Sequence, residues 1–147
     1  MEPPEDLKAL LALHRYYIWA NRHREYFESA SLQLLEKTNT ALTIFAEDPM
    51  FFMSYWYAAL FVVIEGWNEL HLSDPQIDEL LESPNVDLLR RYRNGVLHFQ
   101  REYSDPRFLD LITAQGVVPW VHELNLAFGR SFLVRMKAAL PASKEGH

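Results

Sequence analysis

Apolar residues in this chain recur at spacings of three and four, and no long segment alternates apolar with polar, so the pattern predicts an all-α protein. Four pairs punctuate it: Asp48-Pro49, Asp74-Pro75, Ser83-Pro84 and Asp105-Pro106. Each sets a capping side chain before a proline at the first helical position, where the missing N–H costs nothing. The first helical region is expected over residues 4–46, bent or broken near Asn21 or between Ser29 and Ser31. The second, residues 49–72, is apolar on nearly every side through Phe51, Met53, Trp56, Leu60 and Ile64, as befits a central or interface helix. A short helix over residues 75–81 docks through Ile77, Leu80 and Leu81, and a fourth covers residues 86–103. The last begins at Pro106, is interrupted around residues 116–119 and resumes from Trp120 to Leu140. The expectation is an up-and-down bundle of about five helices. It forms a single domain over residues 1–140 with a disordered tail at 141–147, and shows no repeat, linker or low-complexity segment.

Composition narrows this reading. A chain of 147 residues is long enough for one substantial core. Apolar residues make up 49% and aromatics 14%, which is too hydrophobic for disorder and rich enough to suggest a buried oligomer interface. The absence of cysteine excludes disulfides and cysteine-based zinc sites and leaves a cytoplasmic home as the default. With 20 acidic and 14 basic side chains the net charge is −6, which speaks against general nucleic-acid binding but allows a focused phosphate site. The start, MEPPEDLKALLALHRYY, lacks the basic-then-apolar layout of a signal peptide. The longest apolar run, residues 50–64, is interrupted by Ser54 and closed by Glu65. It is shorter than the ~18–20 residues that span a bilayer, so it reads as a core helix with no membrane role.

The candidate chemistry lies in Arg93-Asn94-Gly95-Val96-Leu97-His98, with Arg90, Arg91 and Arg101 close by. A guanidinium holds a phosphate and an imidazole moves a proton near neutral pH, the two tools needed to cleave RNA without a metal. At roughly 100° per residue, Leu88, Leu89, Tyr92, Val96, Phe99 and Tyr103 fall on one apolar stripe, with Arg93 half-buried at its edge. Arg90, Asn94, His98 and Arg101 fall on the opposite side, with His98 about 140° from Arg93. One helix therefore makes a poor site from this pair, whereas two helices across a symmetry axis bring both pairs to one cleft. Gly95 costs about 1 kcal/mol in a helix interior. It either admits a close partner helix or substrate, or relieves a clash in the bundle.

Arg93-Asn94-x-x-x-His98 resembles the motif of the HEPN superfamily, an arginine and a histidine separated by four to six residues with a polar residue directly after the arginine. The surrounding FVVIEGWNELHLSDPQIDELL and DLLRRYRNGVLHFQREYSDPRF are similar to small stand-alone bacterial HEPN-like proteins, with the likeness good over residues 51–108 and only in outline beyond. The resemblance implies a helical bundle that dimerises with its motif helices facing each other. It also implies metal-independent endoribonuclease activity in RNA restriction, phage defence or a toxin–antitoxin pair, with an antitoxin as a further partner. On this chain His98 would transfer the proton, Arg93 would hold the scissile phosphate, and Asn94 would orient His98 or a phosphate oxygen. No cofactor or metal is expected.

Competing readings stand beside each of these. Glu65 closes an apolar helix and needs a partner, and Arg93 is a plausible one, either as a structural ion pair or with Glu65 supporting the site from behind. Arg90, Arg91 and Arg101 contact RNA, or they form a mixed-charge solvated face with Asp87, Glu102 and Asp105. Tyr92 and Tyr103 are expected in the core rather than stacked on bases, and Phe51, Phe52, Tyr55, Trp56, Tyr57 and Phe61 in core and interface. His14, His23, His71 and His122 show no metal-ligand spacing, and no phosphate-cradling glycine loop is present. The alternative functions are a non-catalytic HEPN-like module that binds a partner protein, and a helical dimer that binds a small anion or nucleotide through Arg93 and Arg90.

Overall fold

Proline punctuation becomes helix starts. In the computed structural model, residues 5–35 and 48–140 are described, and among them lie six α-helices and no strand. They are α1 (Glu5–Leu35), α2 (Asp48–Glu69), α3 (Pro75–Leu80), α4 (Asn85–Leu97), α5 (Pro106–Ile112) and α6 (Val117–Ala139). At the head of α3, Asp74 Oδ1 accepts from the backbone N–H groups of Gln76 at 3.0 Å and Ile77 at 3.1 Å. At the head of α5, Asp105 Oδ1 accepts from Arg107 N–H at 2.9 Å. Each bond satisfies a donor that the first helical turn leaves without a partner. The start of α4 departs from the expectation, because Pro84 itself is the capping residue and Ser83 Oγ instead accepts from Asn85 N–H at 3.1 Å.

The expected break in the first helix is absent: α1 runs through Asn21 and the 29–31 segment. Asn21 does not turn on its own backbone, since its Oδ1 accepts from Arg24 Nε at 2.8 Å and from Asn125 Nδ2 at 3.2 Å. The expectations for residues 36–46 and for the tail lie outside the described residues.

Helix α2 is the centre of the bundle. Trp56, Leu60, Val63, Ile64 and Trp67 are almost fully buried, with α1 along one side, α4 along another, and Leu124, Phe128 and Phe132 of α6 completing the core. Trp56 Nε1 donates to the buried Asn125 at 3.1 Å, so one asparagine joins α2 and α6, and through Asn21 also α1. Trp120 Nε1 donates to the Leu80 carbonyl at 3.0 Å and ties α6 to α3. The aromatic run divides: Trp56, Tyr57 and Phe61 are buried, whereas Phe51 and Tyr55 face outward. Among the described residues α2 alone, 22 residues long, is long and apolar enough to cross a membrane, exceeding the apolar run that marks it in the sequence. Its packing is that of a core helix.

The C-terminal interruption lies earlier than expected, at residues 113–116 between α5 and α6 rather than 116–119. Gly116, at φ 78°, starts α6 directly, and Pro119 falls in the first turn, where its missing N–H has no helical partner to lose. Helix α4 departs further from the expected span of residues 86–103. It ends at Leu97 rather than reaching Tyr103, and His98 is its capping residue with extended backbone (φ −122°, ψ 134°). The His98 N–H still reaches the Asn94 carbonyl at 3.1 Å, but the His98 carbonyl is taken by the Gln100 side chain at 2.9 Å. That bond satisfies the acceptor without another helical turn. The apolar stripe stops with the helix, so Phe99 is 92% exposed and Tyr103 66% exposed instead of lying in the core.

Candidate functional site

Arg93 leaves α4 on the side facing the C-terminal half of α2. Its Nη1 donates to Glu65 Oε1 at 2.8 Å, and its Nε and Nη2 donate to Asn94 Oδ1 at 3.2 and 3.1 Å. The guanidinium lies over the Phe61 ring, 4.5 Å from its centroid. Only 19% of the side chain remains exposed, as the edge position on the stripe predicts. A guanidinium has five N–H donors and the three bonds above use three of them, leaving two for an incoming anion. Glu65 has already balanced the charge, however, which weakens any pull on a phosphate. The Asn94 side chain accepts from Arg93 and makes no bond to the His98 imidazole, so within one chain it orients the arginine.

His98 sits at the other end of the motif, exposed, and among the described residues its imidazole has no hydrogen bond. It lines a cleft of about 300 Å³ between the end of α4, the start of α2 and the loop before α5. Met50, Val96 and Phe108 provide apolar walls, and Glu102 lies on the lining. On that lining Tyr92 and Ser54 share a hydrogen bond of 2.8 Å between their hydroxyls. Burial pushes the Tyr92 phenol up from its ordinary value, and the bond to Ser54 pulls partly against that. Tyr57, whose ring lies 5.8 Å from Tyr92, is also pushed up, first by burial and then by its neighbour. Both phenols are neutral hydrogen-bonding groups across the physiological range. Gly95 admits the close approach of α5, because a Cβ there would stand 3.0 Å from the Phe108 ring and 3.2 Å from Arg107 Cβ.

The remaining arginines divide. Arg90 pairs with Asp87 at 2.6 Å and Arg91 with Asp110 at 2.7 Å, which makes both part of a mixed-charge face. Arg101 is exposed and makes no ion pair among the described residues. The structure therefore joins Arg93, Asn94 and Glu65 in one cluster and puts His98 in a separate cleft that Arg93 does not line. Among the described residues no group of three or more histidine, aspartate and glutamate side chains is placed to hold a metal ion.

Sequence reasoning missed Ser54, Phe108 and Gln100 as makers of the cleft. Ser54 had a visible signal, being the lone polar interruption of the apolar run. Gln100 and Phe108 had none, because their roles depend on α4 ending early. Comparison with protein-family models, curated proteins and solved structures finds no match, so the HEPN resemblance rests on the motif and the segments around it in the sequence.

Proposed function

We propose that this chain is a metal-independent endoribonuclease of HEPN type, working as a homodimer in which motif helices from two copies complete one site. The observation that carries this reading is His98, a histidine released from the helical spiral at a helix end, exposed, and lining a cleft separate from the Arg93–Asn94 pair of its own chain, so that a second copy is needed to complete the site. The chemistry needs no group the chain lacks. A ribose 2′-oxygen loses its proton to an imidazole and attacks the adjacent phosphorus. The bond from phosphorus to the 5′-oxygen breaks, and that oxygen takes a proton, leaving a 2′,3′-cyclic phosphate and a 5′-hydroxyl. Two copies supply two His98 side chains, one as base and one as acid, each class of step contributing about 10²–10⁴-fold. Arg93 supplies its two remaining N–H groups to the phosphate, held in place by Glu65 and Phe61. RNA restriction, phage defence and toxin–antitoxin action are the settings that the motif suggests.

Incubation of the protein with mixed RNA in EDTA, followed by analysis of product ends, tests the reading. Cyclic phosphate ends support it, and 3′-hydroxyl ends or no products contradict it.

A second reading is a non-catalytic HEPN-like module that binds a partner protein. The charge balance of Arg93 by Glu65 favours it, since a guanidinium so engaged holds α4 on α2 whether or not RNA is present. In that case no RNA is cut, and Arg93→Ala lowers thermal stability.

A further inference from the structure

Phe99 is the least expected side chain in the molecule. It follows His98 directly, lines the same cleft and is 92% exposed, an apolar ring held in water at the mouth of a recess of about 300 Å³. That space accommodates one planar heterocycle. Glu102 also lines the cleft, and a carboxylate there repels a phosphate but accepts from N–H groups. The hydroxyl pair of Tyr92 and Ser54 adds a polar patch that can donate or accept. Arg101, between Phe99 and Glu102 in the chain, is exposed and without an ion pair among the described residues, which suits it to a phosphate just outside.

We infer that this cleft holds one unpaired base of a single-stranded RNA, stacked on Phe99 with its N–H edge on Glu102. Single-stranded RNA is read in this way, by splayed bases on aromatic rings and hydrogen bonds to their edges. Guanine fits best, because its N1–H and N2 amine lie side by side and can both donate to one carboxylate. Uracil offers a single N–H flanked by two carbonyl oxygens that the carboxylate repels. The base lies beside His98, so its own ribose or the next one presents the attacking hydroxyl. The inference rests on the ribonuclease reading only for the choice of a ribose-bearing ligand, and its test reads binding alone.

The probes are labelled 2′-O-methyl oligouridylates, which cannot be cleaved, carrying either a central guanine or a central uracil. Fluorescence anisotropy measures their affinity for wild-type protein, Phe99→Ala and Glu102→Gln. Both side chains are exposed, so both variants should melt with the wild type. The wild type is expected to bind the guanine probe several-fold more tightly. Phe99→Ala should weaken that binding by about tenfold, the usual effect of losing one base–aromatic stack. Glu102→Gln should shrink the guanine preference. Equal affinity for the two probes, or no loss in Phe99→Ala, overturns the base pocket. So does a shift of Phe99→Ala from dimer to monomer without loss of binding, which would show that a second copy covers the ring. Binding as expected with no cleavage of natural RNA would overturn the ribonuclease reading and leave the pocket standing.

Discussion

Arg93 on α4 and Glu65 on α2 meet at 2.8 Å, and the same guanidinium covers Phe61 one turn earlier on α2. One arginine thus fastens the motif helix to the central helix by an ion pair and by its flat face. Arg93→Ala should cost about 1–2 kcal/mol through the lost cation–π contact and charged hydrogen bonds. Thermal melting should fall by several degrees. Glu65→Gln should cost less than about 1 kcal/mol, because half of the Glu65 side chain faces solvent. Equal melting of Arg93→Ala and wild type would show that the pair contributes nothing to stability.

Asn125 bridges Trp56 and Asn21 from a position that is almost fully buried. Asn125→Leu strands the indole N–H without a partner, and a buried unpaired donor costs about 1–3 kcal/mol. Chemical denaturation should show a lower midpoint with an unchanged slope. An unchanged midpoint would mean that another acceptor reaches the indole.

Gly95→Ala sets two effects against each other. Alanine gains about 1 kcal/mol of helix propensity, but overpacking costs about 1–3 kcal/mol. Its Cβ would press on the Phe108 ring, which can turn, and on Arg107 Cβ, which moves only with the α5 backbone. The clash should win, and the variant should melt below the wild type. A higher melting temperature would show that α5 shifts freely.

Burial lowers the pKa of both His14 and His23 below the ordinary 6.5. The unfolded chain then binds more protons than the folded one as pH drops through that value. Stability is complete above about pH 7 and should decline as pH falls through 6.5 towards the lowered folded values. Melting temperatures read between pH 8 and 5 on wild type and a His14→Phe, His23→Phe double variant test this, with a flatter profile expected for the variant.

Much of the bundle was legible because its determinants are local. Asp74-Pro75 and Asp105-Pro106 carry their caps with them, and the apolar face around Trp56, Leu60 and Ile64 shows its own burial. Glu65 was legible for the same reason, since one acid closing an apolar helix calls for a cation. The end of α4 was not. Apolar spacing continues through Phe99 and Tyr103, and nothing in that spacing reveals that the Gln100 side chain takes the His98 carbonyl. The cleft was hidden with it, since it exists only because the chain leaves the helix at His98. The unbroken course of α1 was equally hidden, because Asn21 is held by Asn125, 104 positions away in the chain.

In the proposed ribonuclease, His98 is the group that moves the proton. The most direct measurement compares single-turnover RNA cleavage in EDTA by wild type and by His98→Ala, with thermal melting run on both. His98 is exposed and its imidazole makes no hydrogen bond to a described residue, so melting should be unchanged while the rate falls by about 10²-fold or more. Cleavage by His98→Ala at the wild-type rate would contradict the assignment.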